Sequence, residues 1–218
     1  MVQITDLFDL SHTLAKDYLL QFTYPWDALA GITDFIHTLG AALPKTEYTE
    51  VSSGVWVHKS ALIAPTAYLG APCIIGAKTE VRHGAFIRGS ALVGDSCVVG
   101  NSVELKNVIL FDGVQVPHYN YVGDSILGYK AHMGAGSITS NVKSDKSPVV
   151  IHADSPIPTN RKKVGAMLGD FVEVGCNSVL NPGTVIGRES NIYPLSCVRG
   201  VIPPRSILKT GGMLIEKE

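Results

Sequence analysis

The sequence predicts an all-β fold: a parallel β-helix built from hexapeptide repeats, with a short helical cap at the amino terminus. Three observations predict it. Steps of six from Val57 meet Ile63, Leu69, Ile75, Val81, Ile87, Val93, Val99 and Leu105, an unbroken aliphatic series. A second series runs through Leu168, Val174, Leu180, Ile186, Ile192 and Val198. The residue after the aliphatic is often small, as at Ala64, Gly70, Gly76, Gly94, Gly100, Gly175 and Gly187. An α-helix needs spacings of three and four and an exposed strand alternates in twos, so a period of six fits neither. It fits a short strand, a tight corner and another short strand. Three such faces close a coil of about 18 residues, and coils stack at a strand spacing of about 4.8 Å.

Residues 1–50 come first. Leu7, Leu10 and Leu14, then Ile32, Phe35, Ile36 and Leu39, are spaced for two helices, the second opening at Pro25. Repeat proteins need a terminal coil covered, so this segment is expected to cap the end of the column. The β-helix is expected over 51–212. Its register slips near 107–114, where extra residues are expected to intrude. It resumes at Val116 and Val122, slips again, and continues at Met133. Residues 142–163 interrupt the coil with Pro148, Pro156 and Pro158, and carry Lys143, Lys146, Arg161, Lys162 and Lys163 against Asp145 and Asp154. Loops of this length inside a compact domain are usually functional, and the positive charge suits a phosphate-bearing ligand.

A net charge of −1 over 218 residues excludes the strongly basic footprint of a general nucleic-acid binder. No apolar run of 18 residues occurs, so no membrane span is expected. Residues 1–10, with Asp6 and Asp9, lack a secretory signal pattern. Cys73, Cys97, Cys176 and Cys197 lie far apart with no CxxC pair, and are expected to be reduced structural thiols. A cytoplasmic protein is expected.

A packed column has no internal pocket, so ligands must bind in clefts between columns. Three copies around one axis form three equivalent clefts, and a homotrimer is expected. The chemistry then falls to polar residues on one edge. They are densest from Arg82 to Asn141, among them Arg88, Glu104, Lys106, His118, Tyr121 and His132.

Three stretches within that region carry a resemblance: Gly100-Asn-Ser-Val-Glu-Leu-Lys106, Pro117-His-Tyr-Asn-Tyr-Val-Gly-Asp124 and Gly134-Ala-Gly-Ser-Ile-Thr-Ser-Asn141. They resemble the acetyltransferase half of bacterial bifunctional N-acetylglucosamine-1-phosphate uridyltransferase/glucosamine-1-phosphate acetyltransferases. More closely still they resemble the archaeal sugar-1-phosphate nucleotidylyltransferases, which share His-x-x-Tyr-Val-Gly-Asp and a basic segment like Arg161-Lys-Lys163. The resemblance covers about residues 55–210 and implies a left-handed coil. It implies an acetyl-CoA-dependent N-acetyltransferase acting on an amino-sugar phosphate, with no metal required. By the same resemblance His118 is the general base, with Asn141 beside it. Arg88 and Lys106 hold the sugar phosphate, Tyr121 lies on the substrate, and Lys162 or Lys163 supplies a further phosphate ligand. Ala135, Cys176 and Pro194 follow the acetyl-CoA arm.

The chain departs from the family at His132, where the family has asparagine; His132 is expected as a further substrate contact. Residues 1–50 hold no glycine-rich nucleotidyltransferase loop, so the chain is not expected to make a nucleotide sugar by itself. Two other readings share the fold. A zinc carbonic anhydrase needs histidines converging on one metal, and His118 and His132 are 14 residues apart. A non-catalytic trimer binding sugar phosphates or nucleotide sugars, perhaps serving a separate nucleotidyltransferase, is the alternative function.

Overall fold

In the computed structural model, which describes residues 2–217, parallel strands stack in three rows around a buried aliphatic column. One row aligns Val57, Ile75, Val93, Leu110, Leu127, Leu168, Ile186 and Ile202. A second aligns Ile63, Val81, Val99 and Val116, and further along Met133, Val174, Ile192 and Leu208. The third aligns Leu69, Ile87, Leu105 and Val122, then Thr139, Leu180 and Val198. The six-residue period is thus one inward residue per face, as the sequence predicts.

The register slips have a different cause from the one expected. Leu110 pairs with Val93 and Leu127 with Leu110, steps of 17 where the preceding coils step by 18. A residue is lost at each slip; none intrudes. The loss falls at one corner, where Asn107 (φ 55°) and Asp124 (φ 49°) each make the turn in left-handed backbone. Asn and Asp tolerate that region better than other side chains with a Cβ. After Leu127 the step is 41 residues to Leu168, spanning the excursion at 142–163. That excursion forms a small antiparallel hairpin, Val150–Ile151 against Ile157–Pro158.

The amino-terminal segment also differs from expectation. Four short helices (Ile4–Leu7, Lys16–Leu19, Pro25–Ala28 and Ile32–Ala42) and a 3₁₀ turn at Leu10–His12 replace the two expected helices. They lie along the flank of the column instead of over its end. Helix Ile32–Ala42 packs on strands Cys73–Ile75, Ala91–Val93 and Glu104–Leu110, and Pro25–Ala28 on Tyr121–Leu127. The reason is an outward-facing apolar stripe on the first row, Ile74, Leu92, Ile109, Ile126, Met167 and Val185, which a bare column would leave in water. The ends of the ladder instead carry antiparallel strands, Tyr48–Ser52 on Val55–His58 and Leu214–Glu216 on Ser206–Leu208. Buried Asp170 fastens the segment: its carboxylate accepts the Asp9 N–H (2.7 Å) and the Tyr129 N–H (2.8 Å) and pairs with Arg188 at 3.0 Å. Among the described residues no helix is long and apolar enough to cross a membrane.

Ile109 sits in that stripe and is fully buried. Ile109→Ala is therefore expected to cost about 2–5 kcal/mol in urea denaturation. Val51→Ala, on an exposed strand, should stay within about 0.5 kcal/mol. An unchanged Ile109 variant would mean the helices do not cover the flank.

Candidate active site

The site builds up around the corner that the two short coils share. Asp124 is 2% exposed and collects three donors. Lys106 Nζ lies 3.1 Å from Oδ1 and 3.2 Å from Oδ2; Asn107 Nδ2 donates to Oδ1 at 2.9 Å; Asn141 Nδ2 donates to Oδ2 at 2.6 Å. Asn141 Nδ2 also donates to the Tyr121 hydroxyl at 3.2 Å. A nearly buried carboxylate is tolerable only with such partners, and together they fix each other's rotamers. Burial pushes the Tyr121 phenol above its ordinary range, and the nearby Asp124 and Glu104 carboxylates push it further, so it remains a neutral hydroxyl. Gly123 makes room for that ring: a Cβ there would stand 2.4 Å from the Tyr121 hydroxyl oxygen. Arg88 lies one coil before Lys106, since Leu105 pairs with Ile87, and it forms an exposed ion pair with Glu104 at 2.7 Å.

The basic excursion returns to the same place. Val164 N–H donates to the Asn141 carbonyl at 3.0 Å, and Gly165 N–H to the Asp124 carbonyl at 2.8 Å. Arg161, Lys162 and Lys163 therefore line, with Lys106 and Asp124, an open groove of about 590 Å³.

His118 stands on the other side of a two-residue turn from Tyr121. Asn120, buried inside that turn, accepts the His118 N–H at 3.2 Å and donates to the carbonyls of Gly134 (2.9 Å) and Ser137 (3.0 Å). Among the described residues the His118 ring is exposed and has no hydrogen-bond partner. It lies on a straight ladder edge: its carbonyl accepts from Gly136 N–H, that of Ala135 from Asn177 N–H, and that of Cys176 from Leu195 N–H. His118, Ala135, Cys176 and Pro194 thus occupy one edge in successive coils.

The structure therefore groups the expected residues in two adjoining sets. Lys106, Tyr121, Asn141, Lys162 and Lys163 surround Asp124, with Arg88 one coil away. His118, Ala135, Cys176 and Pro194 run along the neighbouring edge. His132 joins neither: its Nδ1 pairs with Glu173 at 2.7 Å, and with Gln115, Lys130 and Phe171 it lines a separate open hollow of about 470 Å³. Sequence reasoning gives no role to Asp124 or Asn107, and counts Arg161 only as part of the basic segment. Asp124 was visible as the last letter of His-x-x-Tyr-Val-Gly-Asp, and the two register slips point at Asn107 and Asp124 together. Among the described residues no group of three or more His, Cys, Asp or Glu is placed to hold a metal ion.

Several known proteins are similar to this chain. The Bifunctional protein GlmU of Methanococcus maripaludis is 32% identical over 179 residues, covering 81% of this chain and 44% of that protein. The Bifunctional sugar-1-phosphate nucleotidylyltransferase/acetyltransferase of Sulfurisphaera tokodaii is 36% identical over 94 residues, 43% of this chain and 23% of that protein. The chain thus spans less than half the length of these curated relatives. A solved hexapeptide transferase family protein from Anaplasma phagocytophilum aligns over 76% of this chain and 81% of its own, at 15% identity and a TM-score of 0.43. Residues 72–202 match the family model described as GMPPB C-terminal domain. With more than half of its length inside that match, and with hexapeptide coils resembling those of the GlmU acetyltransferase domain, the chain belongs to the family of the GMPPB C-terminal domain.

Proposed function

We propose that the protein transfers an acetyl group from acetyl-CoA to the amine of an amino-sugar phosphate such as glucosamine-1-phosphate. The observation that carries this reading is the set of contacts around Tyr121: its hydroxyl joins the cationic groove at Asp124 through Asn141, and a two-residue turn separates it from the exposed His118.

In this mechanism Arg88, Lys106, Lys162 and Lys163 hold the phosphate by charge-assisted hydrogen bonds, with the sugar against Tyr121 and Asn141. A sugar amine arrives as ammonium and must lose a proton before it attacks. Imidazole suits that task near neutral pH. His118 takes that proton and passes it to solvent, then takes a second proton from the nitrogen as it bonds to the thioester carbonyl carbon. The carbon–sulfur bond then breaks, and the protonated His118 returns its proton to the departing sulfur, leaving amide and free thiol. Among the described residues the Ala135 N–H donates to no carbonyl, which suits it to steady the developing oxyanion. Cys176 and Pro194 continue that edge as the track for the CoA arm.

The assembly in this reading is a homotrimer, with the acetyl-CoA cleft between neighbouring columns. Exposed Leu62, Tyr68 and Phe86 on the uncovered faces favour such packing. Four unpaired cysteines, two of them exposed, favour a reducing compartment such as the cytoplasm.

The test is release of free thiol from acetyl-CoA in the presence of glucosamine-1-phosphate. Turnover supports the reading. Acetyl-CoA binding without turnover, across glucosamine- and galactosamine-1-phosphates, removes those acceptors. Failure to bind acetyl-CoA replaces the enzyme with a sugar-phosphate-binding trimer.

A further inference from the structure

We propose that the amino-terminal helical segment forms a wall of the acceptor groove, so that Ala30, between Leu29 and Thr33, faces a bound phosphate monoester across from the basic strap at 160–163. The inference deepens the proposed function and takes the identity of the acceptor from it. Phosphate binding by the groove is independent of acyl transfer.

Four observations carry it. Leu29, Ala30 and Thr33 line the same groove as Lys106, Asp124 and Arg161–Lys163, although more than 70 residues of sequence separate the wall from the nearest of these. Two side-chain bonds tie the wall to the coils. Asn107 Nδ2 donates both to the Leu29 carbonyl (3.2 Å) and to Asp124 Oδ1 (2.9 Å), so one amide joins the wall to the carboxylate that organises the site. Thr33 Oγ1 lies 2.7 Å from Ser90 Oγ at the adjoining corner.

The wall is also braced from behind. The Tyr18 hydroxyl donates to the Ala28 carbonyl. At Gly31 a Cβ would stand 2.7 Å from that hydroxyl oxygen, so the turn between helices Pro25–Ala28 and Ile32–Ala42 needs glycine there. A turn held at both ends and from behind presents a fixed surface. Ala30 and Thr33 are nevertheless exposed, facing the open groove.

The remaining observation concerns charge. Asp124 neutralises Lys106 within the site, and Asp27 of helix Pro25–Ala28 lies within electrostatic reach of Arg161, which leaves Lys162 and Lys163 in excess. The Arg161 Nε is buried with no hydrogen-bond partner among the described residues, and buried donors are rarely left without one. Leu29, Ala30 and Thr33 carry no charge. A groove with cations on one side and a neutral, compact wall on the other fits a small molecule with an anionic end and an uncharged body, as a sugar phosphate has.

The experiment is calorimetric titration of the full chain with glucose-1-phosphate, which lacks the amine and accepts no acetyl group. Wild type, Ala30→Glu and Ala30→Lys are compared, each first checked for an unchanged melting temperature. A unit charge placed on the wall should shift affinity by about tenfold, weakening binding in Ala30→Glu and tightening it in Ala30→Lys, with both shifts shrinking as salt is added. Opposite shifts establish the wall. Equal affinities in all three proteins, equal weakening in both variants, or no binding by wild type each overturn it. Opposite shifts in a protein that does not bind acetyl-CoA would leave the wall standing and remove the transferase reading, so the two fail separately.

Discussion

His118→Ala is expected to lower acetyl-CoA-dependent thiol release about 10²–10⁴-fold, the usual contribution of a positioned general base, with little change in stability. The small stability effect follows from the surroundings: the ring is exposed and makes no hydrogen bond among the described residues, so its loss opens no cavity and orphans no partner. What holds this turn is Asn120, whose amide reaches the Gly134 and Ser137 carbonyls. The contrast gives an internal control. Asn120→Ala should destabilise the fold by about 1–3 kcal/mol, since it leaves the buried Ser137 carbonyl unpaired, while the Gly134 carbonyl keeps the Ser137 N–H and hydroxyl. A His118→Ala protein with normal melting and wild-type turnover would remove histidine from the chemistry.

Asp124→Asn is expected to raise the KM for the amino-sugar phosphate at least about tenfold and to leave the KM for acetyl-CoA near its wild-type value. Lys106, Asn107 and Asn141 all direct donors at this carboxylate. An amide of the same shape offers them one acceptor and sets its own donor against theirs. Lys106 then lies beside a neutral group; its side chain is 29% exposed, so the cost falls below the roughly 3–5 kcal/mol of breaking a fully buried pair. The predicted split between the two KM values separates an acceptor-positioning role from general loss of fold, which would raise both. Denaturation of the same variant checks the stability cost. Equal effects on both substrates would place Asp124 in the scaffold alone.

Much of the fold was legible because one physical demand repeats in every coil. Each face must bury one aliphatic residue, so Val57, Ile75 and Val93 recur at fixed intervals. The flank was legible in principle from the same arithmetic. Ile74, Leu92, Ile109 and Ile126 each precede an inward residue by one, so they point outward, and a solvated column has no use for four of them. That second stripe requires a cover, and the helices at 1–50 supply it. Their placement was misjudged because end coils also need covering, and antiparallel strands met that need instead.

The site was only half legible. The motif residues stood in plain view, and Lys106, Tyr121 and Asn141 do meet. Asp124 could not be ranked above its neighbours, because burial decides which polar side chain becomes a hub. From the sequence the slip at 107–114 looks like an insertion and the one after Val122 has no assigned cause; only strand pairing reveals that a residue is missing from each coil.

The sequence alone thus determined the period, the inward faces, the coil architecture and the polar residues available for chemistry, since all of these follow from local alternation between buried and exposed positions. Tertiary structure alone decided that the helical segment lies on the flank, that residues 29–33 and 160–163 meet across Lys106 and Asp124, and that His132 stands apart. Those outcomes depend on which apolar surface is left over once the coil has closed, a quantity that belongs to the folded column and to no stretch of chain within it.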